Sequence, residues 1–141
     1  MQIYFLIPVF NESLNLGLLY ENLIDSMKEN DKYFLFVDDC STDDTVNKIH
    51  DLFGKEKYHI IKKQKNQGPG DSFNLGFEWI LQHSQSTEDI IVTLEADNTS
   101  DIGILPSMIS ISNLGYDLVL ASVYIQGGGF DKTTFIKKIR I

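Results

Sequence analysis

The sequence predicts an α/β protein whose mainly parallel, open sheet carries helices on both faces. Two observations lead to this fold class. Five short apolar runs of strand length alternate with four longer stretches in which apolar residues recur at helical spacing. Polar clusters, glycine or proline separate the elements at most junctions. Regular alternation of strands and helices is typical of a parallel sheet that is covered on both faces.

Each predicted strand is a short apolar segment that ends at a breaker or a polar cluster. Pro8 and Asn11 interrupt the first run, and Asp38 and Asp39 end the second, YFLFV. The five predicted strands are Ile3–Val9, Tyr33–Val37, Tyr58–Ile61, Asp89–Leu94 and Asp117–Ser122.

The first two predicted helices begin at residues that favour helix caps. Ser13 is placed to cap a helix from Leu14 to about Lys28. The second helix, STDDTVNKIHDLFG, starts with cap-type residues and ends at Gly54. The face of the first helix that we expect to be buried carries Leu14, Leu18, Leu19 and Leu23.

The other two predicted helices follow the third and fourth strands. One lies in NQGPGDSFNLGFEWILQHS after its opening glycine loop, and the other is Ile104–Leu114, with Pro106 in its first turn. The helix after the glycine loop carries apolar residues at helical spacing: Phe73, Phe77, Ile80 and Leu81.

Composition excludes several functional classes. A chain of 141 residues with 43% hydrophobic residues predicts one globular domain over residues 1–141. Its formal charge of −8 argues against general nucleic-acid binding. The single cysteine, Cys40, excludes an internal disulfide framework. The N-terminal run reads as a strand rather than a signal peptide, and no run reaches the roughly 20 apolar residues of a membrane helix. We expect a cytoplasmic protein. A position at the cytoplasmic face of a membrane is the alternative.

Four polar clusters follow the first four strands. They are Asn11–Glu12, Asp38–Asp39, 66–70 and the pair Glu95 and Asp97. Parallel sheets bind ligands beyond the carboxyl ends of their strands, so these clusters predict one site. Neither G-x-G-x-x-G nor G-x-x-x-x-G-K-S/T follows the first strand, which disfavours dinucleotide-binding and P-loop enzymes. The paired acids are of the type that holds Mg²⁺ or Mn²⁺ against a phosphate.

Five motifs resemble one family in order and spacing. They are IPVFNES, VDDCSTDDT, KNQGPGDSFNLGF, LEADNTS and YDLVLASVY. Together they are similar to inverting family 2 glycosyltransferases of GT-A fold, most of all to dolichyl- or polyprenyl-phosphate mannosyl- and glucosyltransferases. The resemblance implies a Rossmann-like nucleotide-binding half plus the start of an acceptor half. Family domains run well past this length, so we expect the domain to be incomplete at its C-terminus.

The resemblance also implies residue roles. Glu95 and Asp97 would hold the divalent cation and, with Ala96, the diphosphate, and Asp97 would be the catalytic residue. The implied partners are a nucleoside diphosphate sugar and a polyprenyl phosphate or other glycan acceptor. The base and ribose pocket would be formed by Pro8, Phe10, Glu12, Val37 and Asp39.

Two residues depart from the family pattern. Glu95 stands where the family has Asp, and Val123 stands where lipid-phosphate synthases carry Arg. Two alternatives therefore remain: a family 2 transferase with a soluble or polysaccharide acceptor, and a nucleotide-binding fragment without turnover.

Basic residues concentrate near the end of this acidic chain. They suggest contact with an acceptor phosphate or an anionic membrane surface. The alternative is a solvated tail without such a contact. The five lysines between Lys55 and Lys65 are expected to be a solvated face, with a membrane-facing patch as the alternative. The terminal basic residues are Lys132, Lys137, Lys138 and Arg140.

Overall fold

The computed structural model describes residues 1–28, 30–124, 126 and 128–129. They fall into two compact units, 1–106 and a second that begins at Ser107. The first unit contains a four-stranded sheet of order β3-β2-β1-β4, and all three strand pairs are parallel. The strands are β1 (Ile3–Val9), β2 (Lys32–Asp38), β3 (Tyr58–Lys62) and β4 (Ile90–Thr93). The predicted α/β class with a parallel sheet is thereby confirmed.

The first three helices connect these parallel strands and cover both faces of the sheet, and a fourth helix follows the last strand. They are α1 (Leu16–Ser26), α2 (Thr45–Phe53), α3 (Pro69–His83) and α4 (Leu105–Ser112), the last preceded by a 3₁₀ turn at Ile102–Ile104. Parallel strands need such crossovers because a tight turn cannot join them. In the described residues, no helix combines the length and hydrophobicity that a membrane span requires.

An aromatic cluster fills the core on the α1/α2 face. Phe53 of α2 packs edge-on against Phe34 and Phe36 of β2, with ring centroids 4.9 and 4.8 Å apart. Tyr20 of α1 meets the same ring at 4.9 Å. Aromatic side chains bury much apolar area, so this cluster fixes both helices on the central strands.

Helix α3 covers the opposite face at close range. Its buried positions are Ser72, Gly76 and Ile80, spaced four residues apart. A Cβ built on Gly76 would lie 2.1 Å from Leu6 Cδ1, so the leucine of β1 occupies the space that a larger residue would need. The sequence-based prediction of this face was wrong in part, because Phe77 is 37% and Leu81 75% exposed. Small residues, rather than large apolar ones, allow the helix to approach the sheet.

Aromatic and imidazole rings stack at the C-terminal end of α3. Trp79 stacks on His83, with ring centroids 3.9 Å apart and planes 10° from parallel, and on His59 of β3, with centroids 5.0 Å apart and planes 13° from parallel. Tyr33 contacts the same indole at 5.5 Å. These contacts join the C-terminal half of the helix to the β3 side of the sheet.

Two predictions about α1 are corrected. The helix begins at Leu16 rather than Leu14, and its N-cap position is Asn15 rather than Ser13, whose backbone N–H donates to the carboxylate of Asp43. Leu14 and Leu18 are 91% and 54% exposed. The residues that α1 buries are Leu16, Leu19 and Leu23.

The fifth predicted strand is absent. Residues 117–122 are described and form neither helix nor strand, and Leu118 and Leu120 are about three-quarters exposed at 73% and 74%. An apolar run becomes a strand only when a neighbouring strand pairs with its backbone, and no described residue pairs with this one. Within the second unit, α4 is followed by a turn in which Gly115 adopts φ +101°.

Candidate functional site

The carboxyl ends of β1, β2 and β4 border a cleft of about 300 Å³, together with the loop that leads into α3. Seven of the eight residues predicted for the nucleotide-sugar site line it. The full lining is Pro8, Val9, Phe10, Glu12, Asp39, Asn66, Gly68, Pro69, Ser72, Phe73, Glu95, Ala96 and Asp97.

Val37 is the eighth residue, and the structure places it elsewhere. Its side chain is fully buried in the hydrophobic cluster between β2 and α3, where it packs with Leu35 and Ile80. Side chains alternate between the faces of a strand, and position 37 points into the core one residue before the strand ends. Val37 is therefore a core residue rather than a lining residue of the cleft.

The loop after β1 is tied to the loop after β2 by several hydrogen bonds. Asn11, in the left-handed region at φ 55°, accepts from the backbone N–H of Thr42 through Oδ1 at 2.8 Å and donates its own N–H to Ser41 Oγ at 2.9 Å. The N–H of Glu12 donates to Thr45 Oγ1 at 2.8 Å. These bonds hold Phe10, which is 44% exposed, at the mouth of the cleft.

Asp43 is the charged centre of this junction. It accepts from the backbone N–H groups of Thr45 (3.0 Å) and Ser13 (3.2 Å). Burial raises the pKa of Asp43, but hydrogen bonds from Ser13 and Thr45 outweigh it and lower the pKa to about 2. The contact places the Asp43 carboxylate at the N-terminus of α2, because Thr45 is the first residue of that helix, and a negative charge is favourable there.

Asp38 has a local role instead. It is 4% exposed, and its Oδ1 accepts from the backbone N–H of Ser41 at 3.1 Å. The bond closes a turn four residues before α2 starts, so Asp38 does not cap that helix, whose N-cap position is Asp44.

A buried lysine that sequence reasoning missed lies beneath Asp39. Lys63 Nζ is 2.6 Å from Asp39 Oδ1 and 2.7 Å from Asp71 Oδ2, and its side chain is 4% exposed. The same carboxylate of Asp39 accepts from the backbone N–H groups of Gln67 and Gly68, both at 2.8 Å. Asp39 therefore anchors the glycine loop while it lines the cleft.

Charge pairing sets the protonation of this cluster. Burial raises the pKa of Asp39, but the bonds from Lys63 and from the loop amides of Gln67 and Gly68 hold it below its ordinary value. Burial lowers the pKa of Lys63, and the two carboxylates of Asp39 and Asp71 raise it above its ordinary value. Both shifts favour the charged forms of Asp39 and Lys63.

The cluster also revises the interpretation of the lysine run. Lys63 is buried, and Lys57 pairs with Asp31 at 2.7 Å on the surface. The remaining three lysines, at positions 55, 62 and 65, are exposed. A continuous five-lysine face is therefore not present. Neighbouring side chains of an extended segment point to opposite faces, so Lys62 and Lys63 at the end of β3 cannot both face solvent in the same way. This alternation is the signal that could have identified Lys63.

The acidic loop, residues 95–99, follows β4. Glu95 and Asp97 are exposed and line the cleft, whereas Ala96 between them is 3% exposed. Asp97 Oδ1 accepts from the backbone N–H and the hydroxyl of Thr99, at 3.0 and 2.8 Å. These two bonds hold the Asp97 carboxylate in one orientation.

The donor set fits a cation that shares its coordination with a substrate. Among the described residues, no group of three or more His, Cys, Asp or Glu side chains could enclose a metal ion by itself. Mg²⁺ is commonly bound by one or two carboxylates plus substrate phosphates, and Mn²⁺ takes the same kind of oxygen ligand. The two carboxylates of the acidic loop satisfy that requirement.

The basic residues predicted for acceptor or membrane contact lie outside the described residues: Lys132, Lys137, Lys138 and Arg140. Val123, which stands in place of the family's Arg, is 36% exposed in the second unit.

The curated proteins that this chain resembles include two whose names refer to lipid phosphates. The chain is 26% identical over 139 residues to the dolichol-phosphate mannosyltransferase of Pyrococcus furiosus, covering 99% of this chain and 38% of that protein. It is 27% identical to the polyprenol monophosphomannose synthase of Mycolicibacterium smegmatis, covering 87% and 45%. The chain thus spans less than half the length of these relatives.

Solved structures share the fold. TarS from S. aureus, in complex with UDP-GlcNAc, superposes with a TM-score of 0.63 at 19% identity, over 81% of this chain and 32% of that one. The mannosyltransferase PcManGT of Pyrobaculum calidifontis, with GDP-Man and Mn²⁺, gives 0.50 at 20% identity, over 67% and 27%. The sheet and helices described above match these GT-A glycosyltransferases, which confirms the expected fold.

The family model for glycosyl transferase family 2 matches residues 4–140, nearly the whole chain. The chain therefore belongs to glycosyl transferase family 2.

Proposed function

We propose that this chain binds a nucleoside diphosphate sugar in the strand-end cleft and takes part in transfer of the sugar, with inversion, to a polyprenyl phosphate. The observation that carries the proposal is the convergence of Phe10, Glu12, Asp39, Glu95 and Asp97 on one cleft. Family membership and relatives named for dolichyl and polyprenyl phosphates support this substrate class.

The two ends of the cleft suit the two ends of such a donor. The half-exposed ring of Phe10 offers an apolar face on which a nucleobase can stack. Asp39 and Gly68 form a loop wall that the Lys63 cluster keeps rigid. Glu95 and Asp97 line the cleft at the acidic loop, and in the proposed orientation the diphosphate lies beside them, where its charge needs compensation. The cleft can thus orient a donor from its base to its phosphates.

Charge develops on the leaving diphosphate as the glycosidic bond breaks. We propose that Glu95 and Asp97 hold Mg²⁺ or Mn²⁺ there, since hard cations favour carboxylate oxygens. When bound, the cation neutralises the developing charge. Asp97 is the better placed of the two residues, because Thr99 fixes its carboxylate while Glu95 has one more rotatable bond.

The acceptor oxygen of a polyprenyl phosphate is already anionic at neutral pH. A strong general base is therefore unnecessary, and the protein has mainly to align donor and acceptor and to screen their charges. We propose that the basic residues between Lys132 and Arg140 contribute to this screening or to contact with an anionic membrane surface.

Calorimetry tests the donor proposal directly. The protein is titrated with UDP-, GDP- and dTDP-sugars in Mn²⁺ and again in chelator. We expect one of these sugars to bind in Mn²⁺ and to bind at least tenfold more weakly in chelator. Equal affinity in the two buffers would contradict the metal role, and no binding to any donor in either buffer would contradict nucleotide recognition.

The acceptor is tested separately with a radiolabelled form of the donor that binds. We expect transfer to a short-chain polyprenyl phosphate and none to the corresponding unphosphorylated prenol. Transfer to a soluble glycan with none to the phosphate would favour the alternative acceptor. Donor binding without transfer to either would favour a nucleotide-binding role.

A further inference from the structure

Asn15 and Asn98 connect the loop after β1 to the acidic loop. The side-chain amide of Asn98 donates from Nδ2 to the backbone carbonyl of Asn15 at 2.9 Å, across 83 residues of sequence. The side-chain amide of Asn15 in turn donates from Nδ2 to Glu12 Oε2 at 2.6 Å. Glu12 lines the cleft, and Asp97, the neighbour of Asn98, lines it as well. Two hydrogen bonds therefore connect the carboxylate of Glu12 to Asn98, the chain neighbour of Asp97.

Asn15 is used differently from most asparagines at its position. It stands at the N-cap of α1, where asparagine usually accepts from a backbone N–H of the first turn, yet its side chain makes no such cap bond. Its amide is committed to Glu12 instead. Its carbonyl also accepts from Leu19 N at 3.1 Å, so the acceptor for Asn98 belongs to the first turn of a helix that the core holds fixed.

Asn98 is also placed in a way that stability alone does not favour. Its backbone lies in the left-handed region at φ 58°, which asparagine tolerates and glycine adopts freely. Its Oδ1 is buried and has no hydrogen-bond partner in the part of the chain that the structure describes. An unpaired buried acceptor carries a desolvation penalty that offsets the bond made by Nδ2. A glycine would allow the same turn without that penalty.

From these contacts we infer that Asn15 and Asn98 are positioning residues, which hold Glu12 and Asp97 at the separation that a nucleoside diphosphate and its cation require. The inference rests on the function proposed above. Binding groups must be held to within about 0.5 Å for productive geometry, and loops reach that precision only when other contacts support them. Asn98 attaches the acidic loop to a fixed helix, and Asn15 extends the same anchor to Glu12.

The two residues should affect binding in different ways. Asn98→Gly keeps the backbone conformation and removes the bond to α1, so the acidic loop loses its anchor. We expect this variant to bind UDP or GDP about five- to tenfold more weakly than wild type in Mn²⁺, with unchanged affinity in chelator. Asn15→Ala frees Glu12 and should weaken nucleotide binding by a similar factor in both buffers.

The measurement uses Mn²⁺ with UDP or GDP as probes. Calorimetry gives nucleotide affinity with and without Mn²⁺, and electron paramagnetic resonance of free Mn²⁺ gives metal affinity in the presence of the nucleotide. Cys40→Gly is the matched control, because Cys40 is also left-handed, at φ 67°, and does not line the cleft. This control should match wild type in both buffers. Melting temperatures of all variants are recorded alongside.

The outcomes separate this inference from the proposed function. If wild type gains affinity from Mn²⁺ and Asn98→Gly gains the same factor, the positioning role is refuted while the proposed function stands. A lower melting temperature with an unchanged Mn²⁺ factor refutes the role as well and assigns Asn98 to stability. If wild type itself binds neither of these probes nor dTDP in Mn²⁺, the proposed function fails, and the positioning role toward a nucleotide fails with it.

Discussion

Gly76→Ala tests the close packing of α3 on the sheet. The added Cβ would lie 2.1 Å from Leu6 Cδ1 and 2.9 Å from Cδ2, whereas carbon atoms in contact are ordinarily about 3.5–4.0 Å apart. Leu6 is fully buried, so its side chain cannot turn into solvent. The helix or the leucine must therefore move by more than 1 Å, on the order of the gap between these distances.

The expected free-energy change combines two opposing effects. Overpacking a core by one methyl group costs about 1–3 kcal/mol, and a contact this short belongs in the upper part of that range. Alanine in a helix interior is more favourable than glycine by about 1 kcal/mol. We expect a net loss of about 1–2 kcal/mol in the free energy of unfolding, or about 3–8 °C in melting temperature for a chain of this size.

Gly17→Ala is the matched control. Gly17 lies in α1, and a Cβ built there has no atom within 4 Å, so only the helix-propensity effect remains. We expect this variant to be more stable than wild type by about 0.5 kcal/mol. Urea denaturation followed by circular dichroism measures both changes. Equal stability of the two variants would refute the packing argument.

A second substitution identifies the clashing partner. Leu6→Val shortens the side chain that meets the new methyl group and costs about 1 kcal/mol alone. Combined with Gly76→Ala it should be less destabilising than the sum, with a coupling energy of about 1 kcal/mol. Additive effects would show that the strain lies elsewhere.

Three further predictions concern charged groups. Lys63→Met should destabilise the fold by about 3 kcal/mol in urea denaturation, because it leaves two carboxylates without their buried cation, whereas Lys57→Met at an exposed pair should cost less than about 1 kcal/mol. Asp43→Asn should lower stability at pH 7 but not at pH 2. The folded pKa of Asp43, about 2, lies below its ordinary value of 3.8, so its contribution is present above pH 4 and is lost as the pH falls toward 2; parallel acid-unfolding curves would contradict this. Asp97→Ala should weaken nucleotide binding in Mn²⁺ by at least about tenfold, and by more than Glu95→Ala, in calorimetry; the reverse order would make Glu95 the main ligand.

The sequence predicted the order and type of the first eight elements, four strands and four helices, because each has strong local signals. The apolar runs of β1 and β2 lie in the middle of the sheet, where both faces are buried, and their observed limits differ from the predicted ones by at most one residue. Placement of the acids followed from topology alone, since all parallel strands end at the same edge.

The errors share a different cause, which is dependence on contacts distant in sequence. Residues 117–122 have strand composition but no pairing partner among the described residues, so local propensity was insufficient. Lys63 looked like one of five surface lysines, and only the fold brings it between Asp39 and Asp71. The Asn15–Asn98 bond joins residues 83 positions apart, and no local pattern marks it.

Trp79 gives this protein a built-in optical probe. It is the only tryptophan of the chain, and it stacks on imidazole rings from both β3 and α3. Indole emission depends on the rings that stack on it, so fluorescence should report the docking of this one helix rather than the average state of the chain. Trp79 lies ten residues, or about 15 Å of helix, beyond Pro69 at the cleft. A donor bound in the cleft should therefore leave the emission unchanged, and separation of α3 from β3 should alter it.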